Sequence, residues 1–173
     1  YQPVKFWDQL DLVGMTSYYK LSDDPCPTVE HLVKAWEPIK QAILDWQKTV
    51  GKPILFTEVG WCSQEGAAIE PWNYYYKQTP TPKGHQEQAA CYEAFMKVWG
   101  DVPQVGGVIW WEWTTYGGGD DCYNYTPKGK PAEKLLRQWF ARHAKKDKPT
   151  ATGRSQPRHP RTASPNKNNT TRR

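Results

Sequence analysis

No apolar run in this 173-residue chain approaches the roughly 20 residues needed to cross a bilayer. The longest, around Leu12–Met15 and Val105–Trp113, are strand-sized, so no membrane span is expected. No C-x-x-C pair joins Cys26, Cys62, Cys91 and Cys122, which argues against zinc or thioredoxin-like chemistry. The four read as small core residues, and a disulfide among them would need an oxidising, secreted setting. A His-Cys-Asp cluster and a Gly-rich phosphate loop are also missing, so neither a metal nor another cofactor is expected. Phe is scarce, with four residues against ten Trp and ten Tyr. Trp and Tyr pair a flat apolar face with a polar handle, a surface suited to sugar rings. The chain opens at Tyr1 with neither a methionine nor an apolar leader, and the natural start is expected elsewhere.

The formal charge of +5 is unevenly spread. Residues 1–143 hold 14 Lys/Arg against 17 Asp/Glu, a net −3, and residues 144–173 hold 9 against 1, a net +8. The basic balance therefore belongs to the tail, and no nucleic-acid partner is expected for the body. From Ala144 onward the chain is Lys, Arg, Pro, Ser, Thr and Asn without periodicity, and it is expected to be a disordered basic tail. A solvated tail is the first reading, and adhesion to an anionic polymer or surface is the alternative.

Leu10–Thr16 is too short for a helix and suits a buried parallel strand ending at Ser17-Tyr18-Tyr19. From the N-cap candidate Thr28, the residues Leu32, Trp36, Ile39, Ile43, Trp46 and Val50 define one helical face closed by Gly51. Pro38 inside it implies a kink or a late start. Ile54–Glu58 is a second apolar strand with a carboxylate at its end. A long connection to Gly84 follows, of a length that is usually functional. Helical spacing returns over His85–Trp99, a third strand covers Gly106–Trp113, and after the Thr114–Gly129 loop a helix runs from Pro131 to His143. Three strands this apolar on both faces require neighbours. The order therefore predicts an α/β fold that is the C-terminal part of a (β/α)8 barrel, of which about 250 residues are typical. A small open α/β sheet is the alternative.

In parallel barrels the site forms at the C-terminal strand ends, here Ser17–Tyr19, Glu58–Trp61 and Trp111–Thr115. They offer a carboxylate, two phenols and several indoles. An uncharged polyhydroxylated ring asks for such surroundings, because its C–H face stacks while its acetal carbon is attacked. Period-two alternation puts Trp111 and Trp113 on one face, Trp110 and Glu112 on the other. Glu112 reads as salt-bridged behind the strand, and Asp120-Asp121 as turn residues. Trp61, Trp72 and Asn73 are candidates for the groove wall, or for packing the loop down. The Asn124-Tyr125-Thr126 pattern and the overlapping ones at Asn168 and Asn169 fit N-glycosylation but are short enough to arise by chance.

The run P-I-L-F-T-E-V-G-W at 53–61 resembles the nucleophile strand of clan A glycoside hydrolases. With L-D-L-V-G-M-T-S-Y-Y, G-A-A-I-E-P-W at 66–72, Q-A-A-C-Y-E-A-F at 88–95 and G-G-V-I-W-W-E-W, the chain resembles the C-terminal half of glycoside hydrolase family 113, known for β-mannanases. The resemblance spans roughly residues 8–140 and implies strands six to eight of the barrel. It makes Glu58 the nucleophile of a retaining hydrolase acting on a β-linked, mannan-like polysaccharide, with a general acid/base preceding Tyr1. Tyr18, or Tyr19, would hold the carboxylate aimed, and the family pattern favours Tyr18. Trp113, then Trp111, would lie beneath the reacting sugar. The partner implied is a carbohydrate, and a secreted or periplasmic location is favoured. By itself this chain is then expected to be inactive. A non-catalytic carbohydrate-binding relative is the competing function.

Overall fold

The computed structural model describes residues 4–75 and 77–144. The basic tail expected from residue 145 onward, with Asn168 and Asn169, lies outside the described residues. After a short 3-10 turn at Trp7–Gln9, the elements are β1 (Val13–Thr16), α1 (Val29–Val50), β2 (Ile54–Val59), α2 (Pro82–Trp99), β3 (Val105–Trp110) and α3 (Pro131–His143). The strands form one parallel sheet in the order β1-β2-β3. Both outer strands are edges among the described residues.

The helices begin and end where their termini are satisfied. Thr28 caps α1, its side chain accepting from the His31 N–H at 3.2 Å. Gly51 ends α1 in the left-handed region at φ 70°, a conformation that costs glycine little. Pro38 does not delay the start, because α1 begins at Val29 and runs through it. The helix gives up only the bond that the missing Pro38 N–H would make. Thr81 caps α2 three residues ahead of the expected start, accepting from the Gly84 N–H at 2.9 Å.

The helices bury one face of the sheet. Val13, Met15, Ile54, Phe56 and Val59 are buried with Trp36, Phe95 and Trp99 from α1 and α2. Phe56 meets Phe95 at 5.3 Å and Trp99 at 4.8 Å, edge to face, and Trp36 meets the same two rings at 5.7 and 6.0 Å. Removing any one of these buried rings would cost about 3–5 kcal/mol. Cys62 and Cys91 are buried as expected of small core residues, but Cys26 is exposed and Cys122 half-buried, and all four are free thiols.

One irregularity in β2 positions everything above it. Met15 pairs with Phe56 but Thr16 with Glu58, and on the other side Val108 pairs with Phe56 but Trp110 with Val59. An extra residue therefore sits in β2 after Phe56, as a β-bulge against both neighbours. Ile54 and Phe56 face the helices by strict alternation, and so would position 58. The bulge reverses the phase, so that Val59 is buried and Glu58 faces the open side of the sheet.

Beyond the bulge β2 and β3 approach so closely that a Cβ at Gly60 would collide with the backbone carbonyl of Trp111. Gly60→Ala should therefore lower stability by about 1–3 kcal/mol. A urea-unfolding midpoint unchanged from the parent would refute this close approach.

Candidate active site

Glu58 stands at the C-terminal end of β2 between the ends of β1 and β3. Its main chain is fixed first: the Ser17 N–H and Ser17 Oγ both donate to the Glu58 carbonyl, each at 3.0 Å. Its side chain is fixed by Tyr18, whose Oη donates to Glu58 Oε2 at 3.0 Å. Among the described residues no ion pair involves Glu58, so it is not held as the structural partner of an arginine. Burial, and then the hydrogen bond to Glu58, push the Tyr18 phenol well above its ordinary range. Tyr18 therefore keeps its proton, and stays a donor, past the pH at which an ordinary phenol ionises.

Tyr19 leaves the strand on the opposite side. Its ring stands edge-on to Trp36 at 5.6 Å and packs on the core, which removes it from a sugar-facing position. Trp61 departs from the groove reading too. It is fully buried, 5.6 Å from Tyr92 and 6.3 Å from Phe95, so its indole packs the loop down. Asn73 spends its amide inside the loop, Nδ2 donating to Glu70 Oε2 at 2.8 Å and Oδ1 accepting from the Tyr75 N–H at 3.0 Å. Trp72 is 52% exposed.

The third strand ends at Trp110, three residues earlier than alternation suggests, and the Trp111–Glu112 peptide bond is cis. The last ladder-like bond joins the Trp111 N–H to the Val59 carbonyl at 2.7 Å. Trp110 fills the core, stacked on Tyr92 at 4.9 Å and edge-on to Phe95 and Trp139. Trp111 and Trp113 are 42% and 55% exposed. Glu112 makes no ion pair among the described residues, against the expectation. Arg137, the nearby cation on α3, pairs with Glu133 instead. No three His, Cys, Asp or Glu side chains gather as a metal site among the described residues.

The walls are tied down by polar side chains that periodicity did not single out. Glu87, buried on α2, accepts from the Cys26 N–H at 2.8 Å, the Gly66 N–H at 2.8 Å and the Ala68 N–H at 2.9 Å. One carboxylate thus clamps the β1–α1 and β2–α2 loops together. Gln88, fully buried beside it, donates from Nε2 to the carbonyls of Trp61 at 2.8 Å and Tyr125 at 3.0 Å. Ser63 Oγ donates to the Cys122 carbonyl at 2.8 Å, and Lys130 Nζ to that of Asn124 at 3.0 Å. The available signal was position: Glu87 and Gln88 lie four and three residues before Cys91, on the apolar stripe of α2, where an unpaired polar residue would be costly.

A family model described as Glycoside Hydrolase Family 113 matches residues 1–122. The chain belongs to that family. None of the curated proteins matches it. Among solved structures, a family 113 β-1,4-mannanase in a complex is 27% identical, with a TM-score of 0.65 over 81% of this chain and 42% of that one. The family 113 β-mannanase of Alicyclobacillus acidocaldarius, in complex with ManMIm, is 29% identical, with a TM-score of 0.64 over 80% of this chain and 41% of that one. A Faecalibacterium prausnitzii β-glucuronidase, 18% identical with a TM-score of 0.50, shares the fold alone. This family 113 chain thus spans about two-fifths of the length of the mannanases it matches, and its three β/α units are part of a (β/α)8 barrel.

Two outcomes test the geometry of this family 113 site. Glu87→Ala strands two buried N–H groups and a half-buried one, and should cost about 3–5 kcal/mol, with faster hydrogen exchange at Gly66 and Ala68. Equal protection of those amides would dismiss the clamp. Burial and its neighbours also raise the phenols of Tyr18, Tyr92 and Tyr125 above their ordinary 10.0. The unfolded chain then loses these protons first as pH rises, so their contribution is complete below pH 10.0 and declines above it. Unfolding midpoints should fall between about pH 8 and about pH 11, less so in Tyr18→Phe. An equal fall in both proteins would count against Tyr18.

Proposed function

We propose that this chain is the nucleophile-bearing part of a retaining glycoside hydrolase acting on a β-linked, mannan-type polysaccharide. The observation that carries the reading is Glu58, turned by a bulge to the open face of the sheet and held by Tyr18 at 3.0 Å. An unpaired, hydrogen-bonded carboxylate at a strand end is equipped to attack an anomeric carbon. A second carboxyl about 5 Å away protonates the departing oxygen and later activates water. On this reading that acid/base stands on a barrel strand outside these residues, so the chain alone is inactive. The barrel portion is assigned to residues 1–143, as strands six to eight.

Tyr18 acts as a positioning residue, donating to one carboxylate oxygen and leaving the other for attack. Trp113, with Trp111 beside it, supplies the platform under the reacting ring. Both indoles leave the end of β3 with about half their surface free. Trp72 extends the wall from the β2–α2 loop. The mannan-type substrate is supported by the family and by the solved relatives, which are a β-1,4-mannanase and a β-mannanase.

In the complete protein, Glu58→Ala should lower mannan hydrolysis by several orders of magnitude. Added azide should restore turnover and yield a glycosyl azide, since a small anion fits the space the carboxylate leaves. Undiminished hydrolysis in the variant would end the nucleophile assignment. Tight mannan binding by a wild type that cleaves nothing would favour the non-catalytic relative instead.

A further inference from the structure

Past Glu58 and Tyr18 the structure carries a line of aromatic rings that no role above uses. Tyr18 meets Tyr125 edge-on at 6.3 Å, Tyr125 lies 6.4 Å from Tyr74, and Tyr74 lies 4.0 Å from Tyr75. Exposure grows outward: Tyr125 is buried, Tyr74 is 45% exposed and Tyr75 is 66% exposed. The phenol oxygens of Tyr74 and Tyr75 are 2.6 Å apart, so the two rings present their hydroxyls together.

The segment under these rings is built without them. Gln64, buried beneath it, donates to the Asn73 carbonyl at 2.9 Å and accepts from the Lys77 and Gln78 N–H groups at 3.0 and 3.2 Å. Tyr125 Oη donates to the Pro71 carbonyl at 2.6 Å, and Asn73 braces the Tyr75 N–H. Hydrogen bonds from below fix the loop, so the two tyrosines are not required to pack it. Two large rings held on a braced loop, half or more in solvent and continuous with a carboxylate site, mark a binding surface.

We propose that Tyr74 and Tyr75 form a distal subsite for a polysaccharide chain, stacking on a sugar several residues from the one at Glu58. The assignment rests on the carbohydrate reading of the Glu58 site. The two exposed rings, tilted to one another by 37°, offer the apolar face a pyranose needs, and their paired phenols offer donors and acceptors for its equatorial hydroxyls. Such a subsite rewards long chains over short ones.

The test is calorimetric titration of the complete protein, in a Glu58→Ala background that prevents turnover, with β-1,4-mannobiose and β-1,4-mannohexaose. The hexasaccharide should bind more tightly than the disaccharide. Tyr75→Ala should weaken hexasaccharide binding roughly five- to tenfold and leave the disaccharide unchanged. Tyr75→Phe, which keeps the stacking face, should retain most of the difference. An unchanged ratio of the two affinities in Tyr75→Ala overturns the subsite, as does equal weakening of both ligands. Absence of binding by either sugar overturns it too. Mannan cleavage by the wild type, measured separately, tells whether the hydrolase reading fails with it or stands alone.

Discussion

The extra residue in β2 after Phe56 is the constraint on which the rest of the molecule depends. Ile54 and Phe56 must face the helices, because the aromatic cluster of Trp36, Phe95 and Trp99 is built on them. A regular strand would send the next residue of that phase, Glu58, into the same cluster, where an unpaired carboxylate is very costly. The bulge resolves the conflict locally. It gives the core Val59 in place of Glu58 and delivers the carboxylate to the mouth. The displaced Glu58 carbonyl is then taken up by Ser17, and that bond brings Tyr18 into reach of the carboxylate. Backbone pairing is settled before side-chain aim.

Helix α2 works as a bracket between that strand and the loops above it. Its C-terminal half contributes Phe95, Val98 and Trp99 to the sheet-facing core. Its N-terminal half puts Glu87 and Gln88 on the same stripe, one layer higher, where the loops arrive with main-chain groups that no ladder satisfies. The carboxylate accepts from N–H groups and the amide donates to carbonyls, so between them they serve both kinds of orphan. This explains how a connection as long as 60–80 stays compact: its bonds come from α2, Gln64 and the facing loop around Cys122–Tyr125.

The parts legible in the sequence are those where one local preference decides. Thr28 and Gly51 bound α1 because a cap and a left-handed residue do the same work in any context. Glu58 was legible as a carboxylate at the end of an apolar run. Its orientation was not, since a bulge is a property of three paired strands. Tyr18 is favoured over Tyr19 by the family pattern and by alternation, and the contacts of the two rings give the physical difference between them. Trp61 and Trp113 are both indoles two or three residues past a strand end, yet one is fully buried and the other half in solvent. That difference lies in what packs from α2, which supplies Tyr92 and Phe95 to Trp61. Glu112 was expected to be salt-bridged behind the strand, but Arg137, the nearby cation, already has Glu133 one helical turn away.

These local dependencies also bear on how the proposed site would be divided along a barrel. Among the described residues, the hydrogen bonds that aim Glu58 come from Ser17 and Tyr18, just past the end of β1. The inner side of the sheet is different. Leu12 and Ile109 are exposed there, apolar side chains that the described residues leave uncovered. Aim is therefore a property of this arc, whereas spacing to a second carboxyl is a property of barrel closure. In the retaining mechanism proposed above, the first would set whether the nucleophile can attack and the second whether a leaving group can depart. On that proposal, an arc that fixes the first and, among its described residues, leaves open edges for the second would carry one half of the chemistry.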